Sequence, residues 1–148
     1  MTIELPVAPV DQIIRRHADD LRVSADAAAA LARRIQRRGA QLAVDAAAEA
    51  TSDGRKTIQA CDFGATNPPP KADLTLPIAP VDRIARRDID DRYQIASDAR
   101  LALAADLETY ASDVADVAAT LARHADRRTV QAEDVALYDE LFDATTAD

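Results

Sequence analysis

This chain contains the same text twice, and no other pattern in it limits the possible folds as much. The stretch ELPVAPVDQIIRR (Glu4 to Arg16) returns as TLPIAPVDRIARR (Thr75 to Arg87), and GRKTIQACD (Gly54 to Asp62) returns as DRRTVQAED (Asp126 to Asp134). Leu5 matches Leu76 at an offset of 71 and Arg55 matches Arg127 at an offset of 72. One residue is therefore inserted between the two blocks, and the text places it near Asp91 to Gln94. Two matches in the same order imply a tandem duplication. The expected domains are 1–64, with a truncated third helix, and 75–148, ending in a short acidic tail. Between them, 65–74 is a Pro-rich linker whose three consecutive prolines, Pro68 to Pro70, cannot continue a helix and favour a semi-rigid extended segment.

Each copy reads as short helix, long helix, short helix. Pro9 and Pro80 suit a first helical turn, where the missing amide hydrogen costs nothing. Val10, Ile13 and Ile14 line one side of the opening helix, as Val81, Ile84 and Ala85 do in the second copy. Ser24 is a good cap for the next helix, with Asp26 at its positive end, and Ser97-Asp98 is assigned the same part in the second copy. The middle helices run without Pro from about Asp26 to Thr51 and from about Asp98 to Arg123. A helix of that length, roughly 39 Å at 1.5 Å per residue, cannot bury both its ends within one copy. Each copy needs a partner, and the other copy is tethered beside it.

Composition narrows the function classes. Of 148 residues, 48% are apolar but only 3% aromatic, so the core must be made of Ala, Val, Ile and Leu. A single Cys and two His exclude a disulfide framework and argue against a metal site. No apolar run approaches a membrane span, and the start MTIELPVAP lacks the features of a signal peptide, so the expectation is a soluble intracellular protein. Ser24, Ser52, Ser97 and Ser112 have no His–Asp partners in their sequence context, and Cys61 reads as a helix-surface thiol, so no catalytic residues, cofactor or small-molecule substrate are expected. The formal net charge of −8 argues on its face against nucleic acid. Yet residues 1–66 carry 9 basic and 9 acidic side chains, whereas 67–148 carry 9 and 17. The acids are 21 Asp against 5 Glu, and the bases 16 Arg against 2 Lys. That usage resembles proteins of salt-accumulating halophiles, where screening within about 3 Å at 1 M salt removes long-range repulsion from DNA. An ordinary acidic mesophile protein is the alternative.

The order of ELPVAPVDQII, RVSADA, a long Ala-rich helix and GRKTIQACDF resembles an archaeal histone, and TLPIAPVDRIA, IASDARLALA and RRTVQAEDV repeat the resemblance. The chain looks like a doublet histone of haloarchaeal type. The resemblance implies an all-α protein of two tandem histone folds that cross along their long helices in a handshake. Here the handshake would be intramolecular, with an effective concentration on the order of mM.

It also implies a partner, double-stranded DNA, bound through phosphate contacts, helix N-termini and minor-groove arginines rather than base readout. The residues carried over are Arg15 and Arg22, then Arg55, Lys56 and Thr57, then Arg83 and Arg86, then Arg127, Arg128 and Thr129. Two departures stand out. Gln12 replaces a basic residue of the family, and Gln94 replaces an arginine of the early loop, although Arg92 would substitute if the register slipped. The edge joining Arg55-Lys56-Thr57 to the second copy's early loop is therefore expected to grip more weakly than the edge of Arg22 with Arg127-Arg128-Thr129. Arg55 with Asp62, and Arg127 with Asp134, read as structural clamps of the late loops. Arg33, Arg34, Arg37 and Arg38 form a run that reads as a solvated helix face.

The family stacks through a four-helix bundle, and Leu121, His124, Asp134 and Leu137 fall on that face in the second copy. The matching Glu49, Ser52, Asp62 and Ala65 do not preserve it in the first. Doublets are expected to join through the second copy but not to polymerise. The leading function is a non-sequence-specific architectural DNA-binding protein of the chromosome, cytoplasmic and nucleoid-associated, with no enzymatic activity. The alternative is a histone-fold protein acting in regulation or protein contacts with weak DNA packaging, since binding through many phosphates weakens steeply with salt.

Overall fold

The computed structural model describes residues 3–143, the side chain of Asp143 excepted, so 144–148 of the expected acidic tail lie outside the described residues. Five α-helices carry the fold: α1 (Val7–Ala18), α2 (Ala25–Ser52), α3 (Ile78–Arg86), α4 (Ser97–His124) and α5 (Ala132–Tyr138). Four two-residue strands lie in the loops: β1 (Arg22–Val23), β2 (Thr57–Ile58), β3 (Gln94–Ile95) and β4 (Thr129–Val130). In the first copy, the place of α5 is taken by a single 3₁₀ turn, Ala60–Phe63, which stops at Gly64 in the left-handed conformation. A second 3₁₀ turn, Lys71–Asp73, follows the prolines.

Two compact units share the chain, and neither coincides with one copy of the repeat. Unit I comprises residues 3–5 and 35–108; unit II comprises 6–34 and 109–143. The early half of one copy thus folds with the late half of the other. The strands show this directly. In unit II, β1 pairs parallel with β4, placing Arg22 opposite Thr129 and Val23 opposite Val130. In unit I, β2 pairs parallel with β3, placing Thr57 opposite Gln94 and Ile58 opposite Ile95. A parallel pair needs two separate chain segments, and here the duplicated copies supply one each.

Unit I is held by an aliphatic core that includes Ile35, Ala43, Ala46, Ile58, Val81, Ile84, Leu103 and Leu107, all fully buried. Two polar side chains tie the chain into it as it enters its first helices. Gln36, 1% exposed, accepts the Glu4 amide at 2.7 Å. At the matching position of the second copy, Glu108 accepts the amides of Thr75 and Leu76, the latter at 2.7 Å. Gly39 sits at the tightest point. A Cβ there would lie 2.8 Å from Ile84 Cγ2 and 3.1 Å from Leu107 Cδ1. Gly39→Ala gains about 1 kcal/mol of helix propensity but incurs about 1–3 kcal/mol of overpacking. The expected net result is a lower denaturation midpoint by chemical unfolding.

Unit II is built likewise from Val10, Ile13 and Ile14 of α1, Leu31 of α2, Val114, Ala118 and Ala122 of α4, and Val135 of α5. Ser24 caps α2, its hydroxyl accepting the Ala27 amide at 3.0 Å.

The structure differs from the sequence expectation at two places. The residue matching Ser24 is Ala96, whose amide donates to Ile58 as that of Ser24 donates to Val130. Ser97 is therefore the first residue inside α4 rather than its cap. The inserted residue also lies earlier than Asp91. The turn in which Leu21 donates to Ala18 is matched by Tyr93 donating to Asp90, so the offset of 72 already holds at Asp90. The extra residue is absorbed between Arg86, where α3 stops, and Asp90.

Candidate functional site

The late loops are set by a repeated device at the end of each long helix. In the first copy Gly54 adopts φ 75°, its amide donating to Thr51 while that of Arg55 donates to Ala50. In the second, Asp126 takes the same left-handed place at φ 61°, with Asp126 donating to Arg123 and Arg127 to Ala122. This Schellman pairing satisfies the helix-end carbonyls and turns the chain back. An Asp is strained there as a Gly is not. Asp126→Gly is expected to raise the melting temperature modestly, by a gain of up to about 1 kcal/mol.

The turn delivers an arginine into a clamp. Arg127 makes a two-pronged bond to Asp134, Nη1 to Oδ2 at 2.6 Å and Nη2 to Oδ1, and donates to the Thr129 carbonyl at 3.3 Å. Asp134 also accepts the Gln131 amide at 2.8 Å and is fully buried. Arg55 does the same with Asp62, both prongs at 2.9 Å, with Asp53 beside it. The hydrogen bonds from Arg55 hold the Asp62 carboxyl below its ordinary range, and Asp62 and Asp134 raise their respective arginines above theirs. These arginines spend their donors on the loop itself. Thr57 and Thr129 are half-buried on the paired strands.

The remaining cations of the candidate set divide sharply. Arg22, Lys56 and Arg128 are exposed and have no carboxylate partner among the described residues. Arg15 is paired with Asp11 at 2.5 Å, Arg83 with Glu4 at 3.2 Å, and Arg86 with Asp82 at 3.0 Å. Asp82 lies also 3.0 Å from Arg100.

The two loop edges are unequal. In unit II, Arg22 donates its amide to the Arg128 carbonyl at 2.7 Å, which sets both residues on one edge. An open groove of about 710 Å³ runs there, lined by Asp20, Leu21, Arg22, Arg123, Asp126, Arg127, Arg128 and Thr129. Arg123 was not legible from the repeat, because its counterpart is Thr51. The available signal was its i,i+4 spacing to Arg127, beside the last helical turn. In unit I, Gln94 holds the register position of Arg22. Arg92 does not replace it: its guanidinium lies over the Tyr93 ring, 5.2 Å from the centroid. Tyr93 in turn meets Thr51, hydroxyl to hydroxyl at 2.5 Å. The hollow beside this edge, about 510 Å³, is lined by Val44, Ala47, Ala48, Thr51, Ser52, Ile89 and Tyr93, with Asp88 and Asp90 and no cation.

Of the residues assigned to self-association, Leu121 and Leu137 are half-buried and His124 is exposed. Asp134 is not on that surface: its carboxylate is closed off by Arg127 and the Gln131 amide. Beyond Leu137 the chain continues as a π-helical turn, Asp139–Asp143, where Leu141 and Phe142 are 49% and 45% exposed. In the arginine run of α2, Arg34 pairs with Asp139 and Arg38 with Asp106, while Arg33 and Arg37 are exposed. Among the described residues, no cluster of His, Cys, Asp and Glu could hold a metal, and no helix is long and apolar enough to cross a membrane.

Comparison with known proteins agrees with this construction. The family described as histone-like transcription factor (CBF/NF-Y) and archaeal histone matches residues 3–64 and again 74–137. The archaeal histone HAN1 of Thermococcus zilligii is 52% identical over 62 residues, covering 42% of this chain and 90% of its own length. The histone of Methanopyrus kandleri shares the fold with a TM-score of 0.70 at 22% identity, over 90% of this chain and 91% of its own. A protein from Thermus thermophilus does so with a TM-score of 0.70 at 18% identity, over 95% and 98%. With the match falling once on each copy of the repeat, the chain belongs to the family of histone-like transcription factors and archaeal histones, as two histone folds in tandem.

Proposed function

We propose that this protein is an architectural, non-enzymatic component of the chromosome that binds duplex DNA without reading its sequence. Membership of the histone-fold family supports a DNA-binding chromatin role in general. The observation that carries the finer reading is the loop edge of unit II, where Arg22 on β1 and Arg128 just before β4 stand exposed, without a carboxylate partner among the described residues, beside a polar groove. Exposed guanidinium groups recognise phosphate oxygens, and contacts of that kind position a protein on DNA without specifying bases. Lys56 with Thr57 offers a weaker second contact at the edge of unit I. Arg15, Arg83 and Arg86 contribute little, because each already has a carboxylate. Arg55 and Arg127 hold the loops in shape. The two histone folds are taken as the two copies, 1–64 and 75–148 with linker 65–74, each copy supplying part of both compact units, and the protein works in the cytoplasm on the nucleoid. A second copy would join through Leu121, His124 and Leu137, extended by Leu141 and Phe142.

The test is titration of two unrelated duplexes of equal length with the full chain over a series of KCl concentrations, its helicity followed in parallel. Saturable binding of equal affinity for both duplexes is expected. Absence of binding at every salt concentration where the chain is folded would leave protein contacts or regulation as the function. Sizing on DNA is expected to stop at two copies, and longer ladders would contradict the single-face assignment.

A further inference from the structure

One arginine in the groove of unit II has no counterpart in the other copy and is not among the DNA ligands so far assigned. Arg123 lines the same groove as Arg22 and Arg128. It is held by two contacts: Nη2 lies 3.2 Å from Asp19 Oδ2 and 3.4 Å from the His17 carbonyl. Both side chains of the ion pair are open to solvent, 41% and 81% exposed. A pair so exposed is weakly held, and a better anion can take the arginine from it.

Asp19 is also in an uncommon conformation. It has φ 53° and ψ −111°, followed by Leu21 donating to the Ala18 carbonyl at 2.9 Å. That is the first central position of a type II′ turn, which glycine usually occupies. The matching turn of the second copy, from Asp90 to Tyr93, contains no residue of positive φ. The first copy therefore keeps a carboxylate where backbone conformation disfavours one, and that carboxylate meets the one groove arginine that is neither clamped nor free. At the other edge the residue matching Arg123 is the neutral Thr51, whose hydroxyl meets that of Tyr93.

We propose that Arg123 is a further DNA-phosphate ligand and that Asp19 gates it. In the free protein Asp19 holds Arg123; a phosphodiester brought in by Arg22 and Arg128 displaces the carboxylate and takes the guanidinium. The affinity of this edge is thus set by a competition within the chain, and the gate exists at unit II alone. This rests on the proposed DNA binding.

The experiment uses the full chain and a mixed-sequence duplex, titrated over a KCl series. The variants are Asp19→Asn, Asp20→Asn, Arg123→Ala and the Asp19→Asn/Arg123→Ala double. Asn tolerates positive φ, so Asp19→Asn keeps the turn. Asp20 lines the same groove, has no ion pair among the described residues, and controls for simple loss of one negative charge. Expected are severalfold tighter binding by Asp19→Asn than by Asp20→Asn, a salt slope steeper by up to about 0.9, and no extra gain from Asp19→Asn once Arg123 is Ala. Equal gains for Asp19→Asn and Asp20→Asn, or a gain that persists without Arg123, overturn the gate. A change in melting temperature on Arg123→Ala with unaltered binding and slope would make Arg123 a structural tie for the end of α1, and also overturns it. If the unmodified chain binds no duplex at any salt concentration, the functional reading fails instead, and that result is distinct from the others.

Discussion

Changing Arg22, Lys56 and Arg128 together to Ala is expected to reduce the salt slope of duplex binding by about 2.7, three phosphate contacts at about 0.9 each. These are the three cations of the candidate set with no carboxylate partner among the described residues. All are exposed, and none carries the fold, so melting temperature is expected to stay where it is. The matching change of Arg15, Arg83 and Arg86 is expected to alter the slope far less. Each of those arginines already neutralises a carboxylate, so its transfer to phosphate leaves a bare Asp or Glu to recruit a cation in its place. Equal losses for the two triple variants, measured by anisotropy over the same KCl series, would mean that the ion pairs do not discriminate among the arginines.

The second large effect falls on stability. Asp134→Ala removes a fully buried carboxylate that receives both prongs of Arg127 and the Gln131 amide. Breaking a buried pair from one side costs about 3 kcal/mol, which chemical denaturation resolves directly. Asp62→Ala acts on the equivalent clamp, where Asp62 is nearly as buried. The Arg55–Asp62 clamp also bears on the acid limit of the fold. Asp62 has its folded pKa depressed, chiefly by Arg55. Its contribution is therefore complete above the unfolded carboxylate value of about 4 and is lost as pH falls through the lower folded value. Stability at neutral pH should be level in this respect, with the decline beginning below about pH 4. In Arg55→Ala the decline attributable to Asp62 should be smaller.

The sequence was most informative where both copies carry the same physics. The paired text of Glu4–Arg16 and Thr75–Arg87 placed α1 and α3, and uninterrupted helical spacing placed α2 and α4 to within two residues. The clamps were legible because an Arg seven residues before an Asp recurs in both copies. What was not legible lies where the copies differ. The shift in register could not be located, because α3 stops short of where α1 ends and the text near Asp88 to Asp91 matches nothing. The sequence places Asp134 both in a clamp and on an outer face, since position along a helix does not reveal which partner captures a carboxylate. Arg123 and Asp19 are not marked by the repeat, because theirs is a contact across 104 positions that only one copy can make.

If a few unpaired loop cations hold the DNA, one number should show it: the slope of log affinity against log KCl for the unmodified chain on a duplex. With Arg22, Lys56 and Arg128 engaged, and Arg123 adding at most one further contact as it is drawn from Asp19, a slope between about −2.7 and −3.6 is expected. A slope near −7, which would need all eight cations of the candidate set on phosphates at about 0.9 each, would contradict it.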